Sequence, residues 1–163
     1  MDRLWSPWRL EYVAGGGQKA GCIFCEATRP PESQPLVVFD GGTCYVILNL
    51  YPYNTGHLMV VPHRHVAMLA ELTSDEMNEI GRLTQRCETV LAEVYQPHGF
   101  NVGINLGKSA GAGVLDHIHV HVVPRWQGDT NFMTVVGDMR VLPESPGASA
   151  ARLRPVFTRL AAT

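Results

Sequence analysis

The chain has 163 residues, 45% hydrophobic and 17% charged, which is the size and composition of one globular domain with an ordinary core. A formal net charge of -2 leaves no basic footprint for nucleic acid. No apolar run nears the ~18 residues of a membrane span and no signal-peptide h-region opens the chain, so no membrane partner is expected and the cytoplasm is the default compartment.

The N-terminal stretch LWSPWRLEYV carries Trp5 and Trp8, which read as packing anchors. A turn-rich AGGGQKAG precedes CIFC at Cys22–Cys25, and the prolines of Arg29–Pro35 mark a loop. LVVFD and TCYVILN flank Gly41–Gly42 as a hairpin, and HLMVVP makes a third strand after the turn YPYNTG. Thr73 with Glu76 three residues on has capping-box spacing. Behind it Met77, Ile80, Leu83, Cys87, Leu91 and Val94 recur at helical spacing to about Tyr95. FNVGINLG forms a fourth strand, KSAGAG a small-residue loop, and DHIHVHVV a fifth strand. ARLRPVFTRLA suggests a C-terminal helix, against which Pro155 argues. The reading is an α+β domain, a five-stranded and mainly antiparallel sheet with one long helix and a C-terminal helix. It spans residues 1–163 as an N-terminal segment (1–35), a core (36–142) and a C-terminal tail or helix (143–163).

His117, His119 and His121 alternate with Ile118, Val120 and Val122. A period of two is the strand period, so the histidines share one face and the apolar residues the other. Three groups titrating near neutrality in one row fit metal ligation, or nucleophilic and acid–base chemistry centred on His119. The preceding NLGKSAGAG places small residues where backbone N–H groups can approach an anion. It is not a Walker A loop: although Gly107-Lys108-Ser109 is present, the glycine five positions earlier is replaced by Val102, and the loop lies between strands rather than before a helix. A lone Cys-x-x-Cys fits a redox pair or half a zinc site. The redox reading expects a βαβ context that this pattern lacks, whereas His63, His65 and a triad histidine could complete a Cys2His2 set. Cys44 and Cys87 sit in apolar patterns and read as buried small hydrophobes.

HIHVHVV, with VILNLYPYNTGHLMVVPHRHV and GFNVGINLGKSAGAGVLDHIHVHVVPRWQGDTNFM, resembles the histidine triad (HIT) superfamily over roughly Leu4 to Leu142. With LWSPWRLEYV it is similar to the bacterial branch related to fragile-histidine-triad hydrolases and diadenosine tetraphosphate phosphorylases. The resemblance implies a HIT-like fold and attack on the α-phosphorus of a nucleotide or dinucleoside polyphosphate. His119 would be the nucleophile, forming a covalent nucleotidyl-histidine, His121 would contact the phosphate and assist proton transfer, and His57 would complete the cluster. Asn49 would hold the ribose, while Asn105 and backbone donors at Gly111, Ala112 and Gly113 would hold phosphate oxygens. Where many relatives place Gln or Ser before the triad, this chain has Ala112–Gly113, which leaves Ser109 or Lys108 to touch the leaving group. The resemblance further implies a structural zinc on Cys22, Cys25, His65 and His117, no organic cofactor, and a homodimer. Water as acceptor would make a hydrolase and inorganic phosphate a phosphorylase. A zinc hydrolase with a three-histidine metal site and a non-catalytic nucleotide sensor are the other readings.

Overall fold

The computed structural model of the protein describes residues 21–28, 35–130 and 142–162; Trp5, Trp8 and residues 131–133 of the GDTNFM stretch fall outside these. Five strands are described: β1 (Val37–Asp40), β2 (Cys44–Leu48), β3 (Leu58–Pro62), β4 (Gly99–Ile104) and β5 (Val120–Arg125). They form one sheet in the order β1-β2-β3-β5-β4, with every neighbouring pair antiparallel. The last strand in sequence inserts between β3 and β4, which brings the histidine segment to the interior of the sheet. Among the described residues three α-helices accompany it: α1 (Ile23–Ala27), α2 (Ser74–Tyr95) and α3 (Pro146–Ala161).

The β1–β2 hairpin turns at Gly41–Gly42 as its sequence predicts. A Cβ at Gly41 would lie 2.6 Å from the carbonyl oxygen of Cys44 and 2.7 Å from the Glu79 carboxylate, so only glycine fits. Glu79, on α2, accepts hydrogen bonds from the N–H groups of Gly42 (3.0 Å), Cys44 (2.9 Å) and Thr43, and from the Thr43 hydroxyl (2.5 Å). Burial raises its pKa, yet the Thr43 hydroxyl and the three N–H donors outweigh that and bring it to about 2.

The capping box of α2 forms as expected: the Glu76 N–H donates to the Thr73 hydroxyl (3.2 Å) and the Thr73 N–H to the Glu76 carboxylate (2.7 Å). One expectation fails. Met77 is 43% exposed, and Glu76 is buried in its stead. The box sets the rotation of the first turn, and Arg64 pairs with the Glu76 carboxylate at 2.7 Å, which offsets the cost of burying it. From Ile80 onward the apolar face is as read, with Leu83, Cys87, Val90 and Leu91 buried. The helix stops where Gln96 takes the left-handed conformation (φ 48°).

The C-terminal helix begins at Pro146, earlier than the sequence suggested, behind a Ser145 side-chain cap, and runs through Pro155. Both Pro155 and Ala151, whose carbonyl loses its donor, are exposed, so water can serve that carbonyl. Ala150, Leu153 and Phe157 on the other side are fully buried, and Phe157 stacks on Phe39 of β1 at 5.8 Å.

Both long helices cover one face of the sheet, packing with Val46, Leu48, Leu58, Val60, Val120 and Val122. The opposite face carries Tyr45, Ile47, Met59 and Val61 under Phe24 of α1. His121 pairs in register with Met59, so the histidines occupy this second face, as their alternation predicts. The ladder, however, starts only at Val120. Its partner β3 ends at Pro62; beyond it the Ile118 N–H donates to the carbonyl of Val66 (2.7 Å), and His117 lies in a bend. Among the described residues no helix is long and apolar enough to cross a membrane.

Candidate active site

Each histidine near β5 has one ring nitrogen tied to a group whose chemistry fixes its proton. His119 Nδ1 lies 2.9 Å from the carbonyl oxygen of His117. A carbonyl only accepts, so Nδ1 carries the hydrogen and Nε2 the lone pair. The ring is 5% exposed, and burial lowers its pKa, only partly countered by that hydrogen bond. The ring is therefore neutral at pH 7, with the basic nitrogen directed away from the main chain.

A second chain of bonds starts at the turn before β3. The Tyr53 N–H donates to His57 Nδ1 (3.1 Å), which puts the His57 proton on Nε2. His57 Nε2 lies 2.9 Å from His121 Nδ1, so His121 Nδ1 accepts and its own proton sits on Nε2. The rings of His57 and His121 are 5.1 Å apart and those of His121 and His119 4.8 Å. A ring nitrogen with a lone pair thus stands beside an imidazole that presents an N–H donor, an arrangement that can set an attacking nitrogen and a hydrogen-bond donor on one phosphate.

The third histidine faces elsewhere. His117 Nε2 donates to the carbonyl of Pro62 (2.8 Å), leaving Nδ1 as the ligand atom, 3.3 Å from Cys22 Sγ and 3.6 Å from Cys25 Sγ. His65 Nδ1 lies 3.3 Å from Cys25 Sγ, and the four ligand atoms fall within 4.8 Å of one another. The edges of a tetrahedral zinc site are about 3.3–3.8 Å, from metal–ligand distances of about 2.0–2.3 Å. The second-shell bond to Pro62 is of the kind that orients a metal-bound imidazole. The residues fit a Cys2His2 zinc, and among the described residues this is the group of side chains whose ligand atoms converge; His119 and His121 do not join it. Cys44 and Cys87, by contrast, are fully buried, and burial pushes the Cys44 thiol up to about 11.

Phe24 joins the two halves, its ring 5.5 Å from that of His117 and 4.9 Å from that of His119. Its carbonyl accepts from the buried Tyr45 hydroxyl at 2.8 Å. A cavity of about 290 Å³ opens beside His121, lined by Tyr53, Asn54, Asn101, Asn105 and Arg125 among others. Gly103 pairs with His121 across β4–β5 and has nothing within 4 Å of where its Cβ would be, which gives the cavity its depth. Asn105 is therefore close to the histidines, as expected. Asn49 lies at the end of β2, its side-chain oxygen accepting the Tyr51 N–H (2.9 Å). The loop after β4 is a 3-10 turn, Lys108–Ala110, in which Lys108 and Ser109 are exposed and do not line the cavity. Its own carbonyls take two of the expected phosphate donors: the Gly111 N–H bonds Lys108 (3.0 Å) and the Ala112 N–H bonds Gly107 (3.3 Å). Gly113 follows, exposed.

Sequence reasoning missed Tyr53, whose main chain sets the His57 tautomer and whose ring lies 4.8 Å from it. It also missed Asn54 and Asp129, which bond each other at 2.8 Å across 75 positions. No periodicity marks such a pair; the only local signal is an Asp in a Gly-Asp turn.

The sequence model of the HIT domain matches residues 31–128. A protein of Mycobacterium tuberculosis named AP-4-A phosphorylase is 46% identical over 152 residues, covering 88% of this chain and 78% of that one. A Dictyostelium discoideum protein named bis(5'-adenosyl)-triphosphatase is 32% identical over 96 residues, 59% of this chain and 64% of that one. The crystal structure of a Zn-bound histidine triad family protein from Mycobacterium smegmatis superposes with a TM-score of 0.70 at 28% identity, covering 88% of this chain and 97% of that one.

Proposed function

This chain belongs to the HIT domain family, and on that footing we propose that it cleaves dinucleoside polyphosphates by nucleotidyl transfer through His119. The observation that carries this is the bond from His119 Nδ1 to its own main chain, which leaves Nε2 as the nucleophile. Nε2 attacks the α-phosphorus, the bond from that phosphorus to the bridging oxygen breaks, and the phosphate departs as an anion, its new charge met by a hydrogen bond from His121 Nε2–H. A nucleotidyl-histidine remains. The acceptor then attacks the same phosphorus, its proton passes to solvent, and the bond from phosphorus to Nε2 breaks to release neutral His119. Asn49 holds the ribose and Asn105, on the cavity wall, holds phosphate oxygens; Gly111, Ala112 and Gly113, with Ser109 or Lys108, reach the phosphates only once the 3-10 turn opens and releases the Gly111 and Ala112 N–H groups.

The likeness to a protein named AP-4-A phosphorylase, at 46% identity, favours inorganic phosphate as acceptor over water. Zinc on Cys22, Cys25, His65 and His117 supplies a cross-link between α1 and the entry to β5; the zinc-bound relative supports this. β4 lies at the edge of the sheet with Val102 54% exposed, which supports a homodimer paired along that edge. The cytoplasm, which keeps Cys22 and Cys25 reduced as a zinc site needs, is the compartment that suits the chain.

The test is a panel of dinucleoside polyphosphates incubated with and without inorganic phosphate, the products identified by mass. A nucleoside diphosphate formed only with phosphate present marks a phosphorylase, and a monophosphate formed from water a hydrolase. Tight nucleotide binding with no turnover across the panel would overturn the reading in favour of a sensor.

A further inference from the structure

The histidine pair behind the nucleophile depends on a turn, and that turn is held from outside. His57 receives its tautomer from the Tyr53 N–H, at 3.1 Å, so the relay works only while that N–H points at the ring. Within the turn, the His57 N–H bonds the Asn54 carbonyl (3.1 Å) and the Asn49 N–H bonds the His57 carbonyl (2.9 Å). Across to β5 the anchor is the Asn54 side chain. Its amide donates to the carbonyl of Pro124 (3.0 Å), where the β3 ladder has already ended, and to the Asp129 carboxylate (2.8 Å). Both amide hydrogens are thereby committed.

Asp129 is itself locked. Arg125 grips it with Nε at 2.6 Å and a second guanidinium nitrogen at 2.8 Å, and the Trp126 N–H adds a bond at 3.3 Å. A third Arg125 nitrogen donates to Asn101 of β4 (2.6 Å). The carboxylate is 12% exposed. A two-toothed Arg–carboxylate pair of this kind is geometrically stiff. It sits on a turn that ends β5, so the strand that carries His121 also carries the clamp on His57's turn.

We propose that Asn54 and Asp129 are positioning residues that fix the ring tautomer of the His57–His121 pair, so that His121 presents its Nε2–H to the leaving group. This deepens the reading of His121 as hydrogen-bond donor to the leaving group and rests on it. Without the clamp, the turn can rotate the Tyr53 N–H off His57 Nδ1. The His57 proton then distributes over both ring nitrogens, and with it the donor of His121. Asn54 also lines the cavity, whereas Asp129 does not, so in Asp129 variants nucleotide binding through Asn49 and Asn105 is left in place and the loss falls on the chemical step.

The test uses the whole chain with ring-15N-labelled histidine and two-bond proton–nitrogen correlation spectra, the signals assigned through His57→Gln and His121→Gln. The expected wild-type pattern is the Nε2-protonated neutral tautomer at both rings. In Asn54→Ala and Asp129→Ala both rings move to a tautomer mixture. With them kcat falls about 10- to 100-fold, and in Asp129→Ala, outside the cavity lining, KM stays within about threefold, while the His65 and His117 signals hold still. Asp129→Asn, which keeps an acceptor oxygen for Asn54, shows a smaller shift and a smaller loss, and serves as the measurement if the alanine variants fold poorly. Unchanged His57 and His121 signals in these variants would overturn the proposal, whatever happens to the rate. So would an altered tautomer with kcat unchanged. The spectra do not depend on turnover: a wild-type chain inert on every polyphosphate sinks the functional reading, while the ring signals still decide the clamp.

Discussion

His119 Nδ1 and the carbonyl oxygen of His117, two residues earlier in the chain, are 2.9 Å apart. The bond assigns the nucleophilic nitrogen without help from any other side chain. Replacing His119 by Asn is expected to lower kcat/KM by about 10³-fold or more and to abolish retention of a radiolabelled α-phosphate on the protein. Metal content should not change. Loss of metal together with activity would show that the ring is a ligand and not a nucleophile.

The ligand atoms of Cys22, Cys25, His65 and His117 converge within 4.8 Å. Elemental analysis of the purified chain is expected to find about one zinc per chain, and Cys22→Ser to lose most of it with a lower melting temperature. Unchanged stoichiometry in Cys22→Ser would place any zinc elsewhere.

Glu79 ties α2 to the β1–β2 hairpin, and its folded pKa of about 2 lies below the ordinary 4.5. A depressed carboxyl stabilises the fold wherever it is ionised in both states, above about pH 4.5. That contribution fades as the pH drops from there toward 2. Thermal melts should therefore show Glu79→Gln destabilised by about 1–2 kcal/mol at pH 7, with the gap to wild type narrowing below about pH 4.5 and closing toward about pH 2. A gap independent of pH would mean that shape rather than charge matters at this position.

A homodimer paired along β4 brings the exposed Val102 to the contact. Val102→Lys is expected to give a monomer by light scattering at micromolar concentration, since an edge lysine blocks strand pairing. An unaltered mass would move the interface to another face.

Much of the site was legible because its signals are local. Alternation alone placed the histidines opposite Val120 and Val122, and Thr73 with Glu76 marked the start of α2. The convergence of Cys22, Cys25, His65 and His117 was legible through a resemblance that joined these four residues. What stayed hidden needs the third dimension. The role of each ring nitrogen depends on the carbonyls of Pro62 and His117 and the N–H of Tyr53, and every residue except proline supplies both kinds of main-chain group. Met77 was misplaced because a box and an ion pair, Arg64 with Glu76, decided the first turn of the helix against hydrophobicity. Pro155 misled because a missing donor matters little where the orphaned carbonyl faces water.

His117 gives its imidazole to the sulfur cluster and its main-chain oxygen to His119. Only the first contribution depends on residue type, since any amino acid offers a carbonyl there. A descendant of this chain could therefore trade away Cys22, Cys25 and His65, and even the ring of His117, while the reactive nitrogen of His119 kept its heading. The cross-link and the chemistry share a residue and remain separately dispensable to evolution.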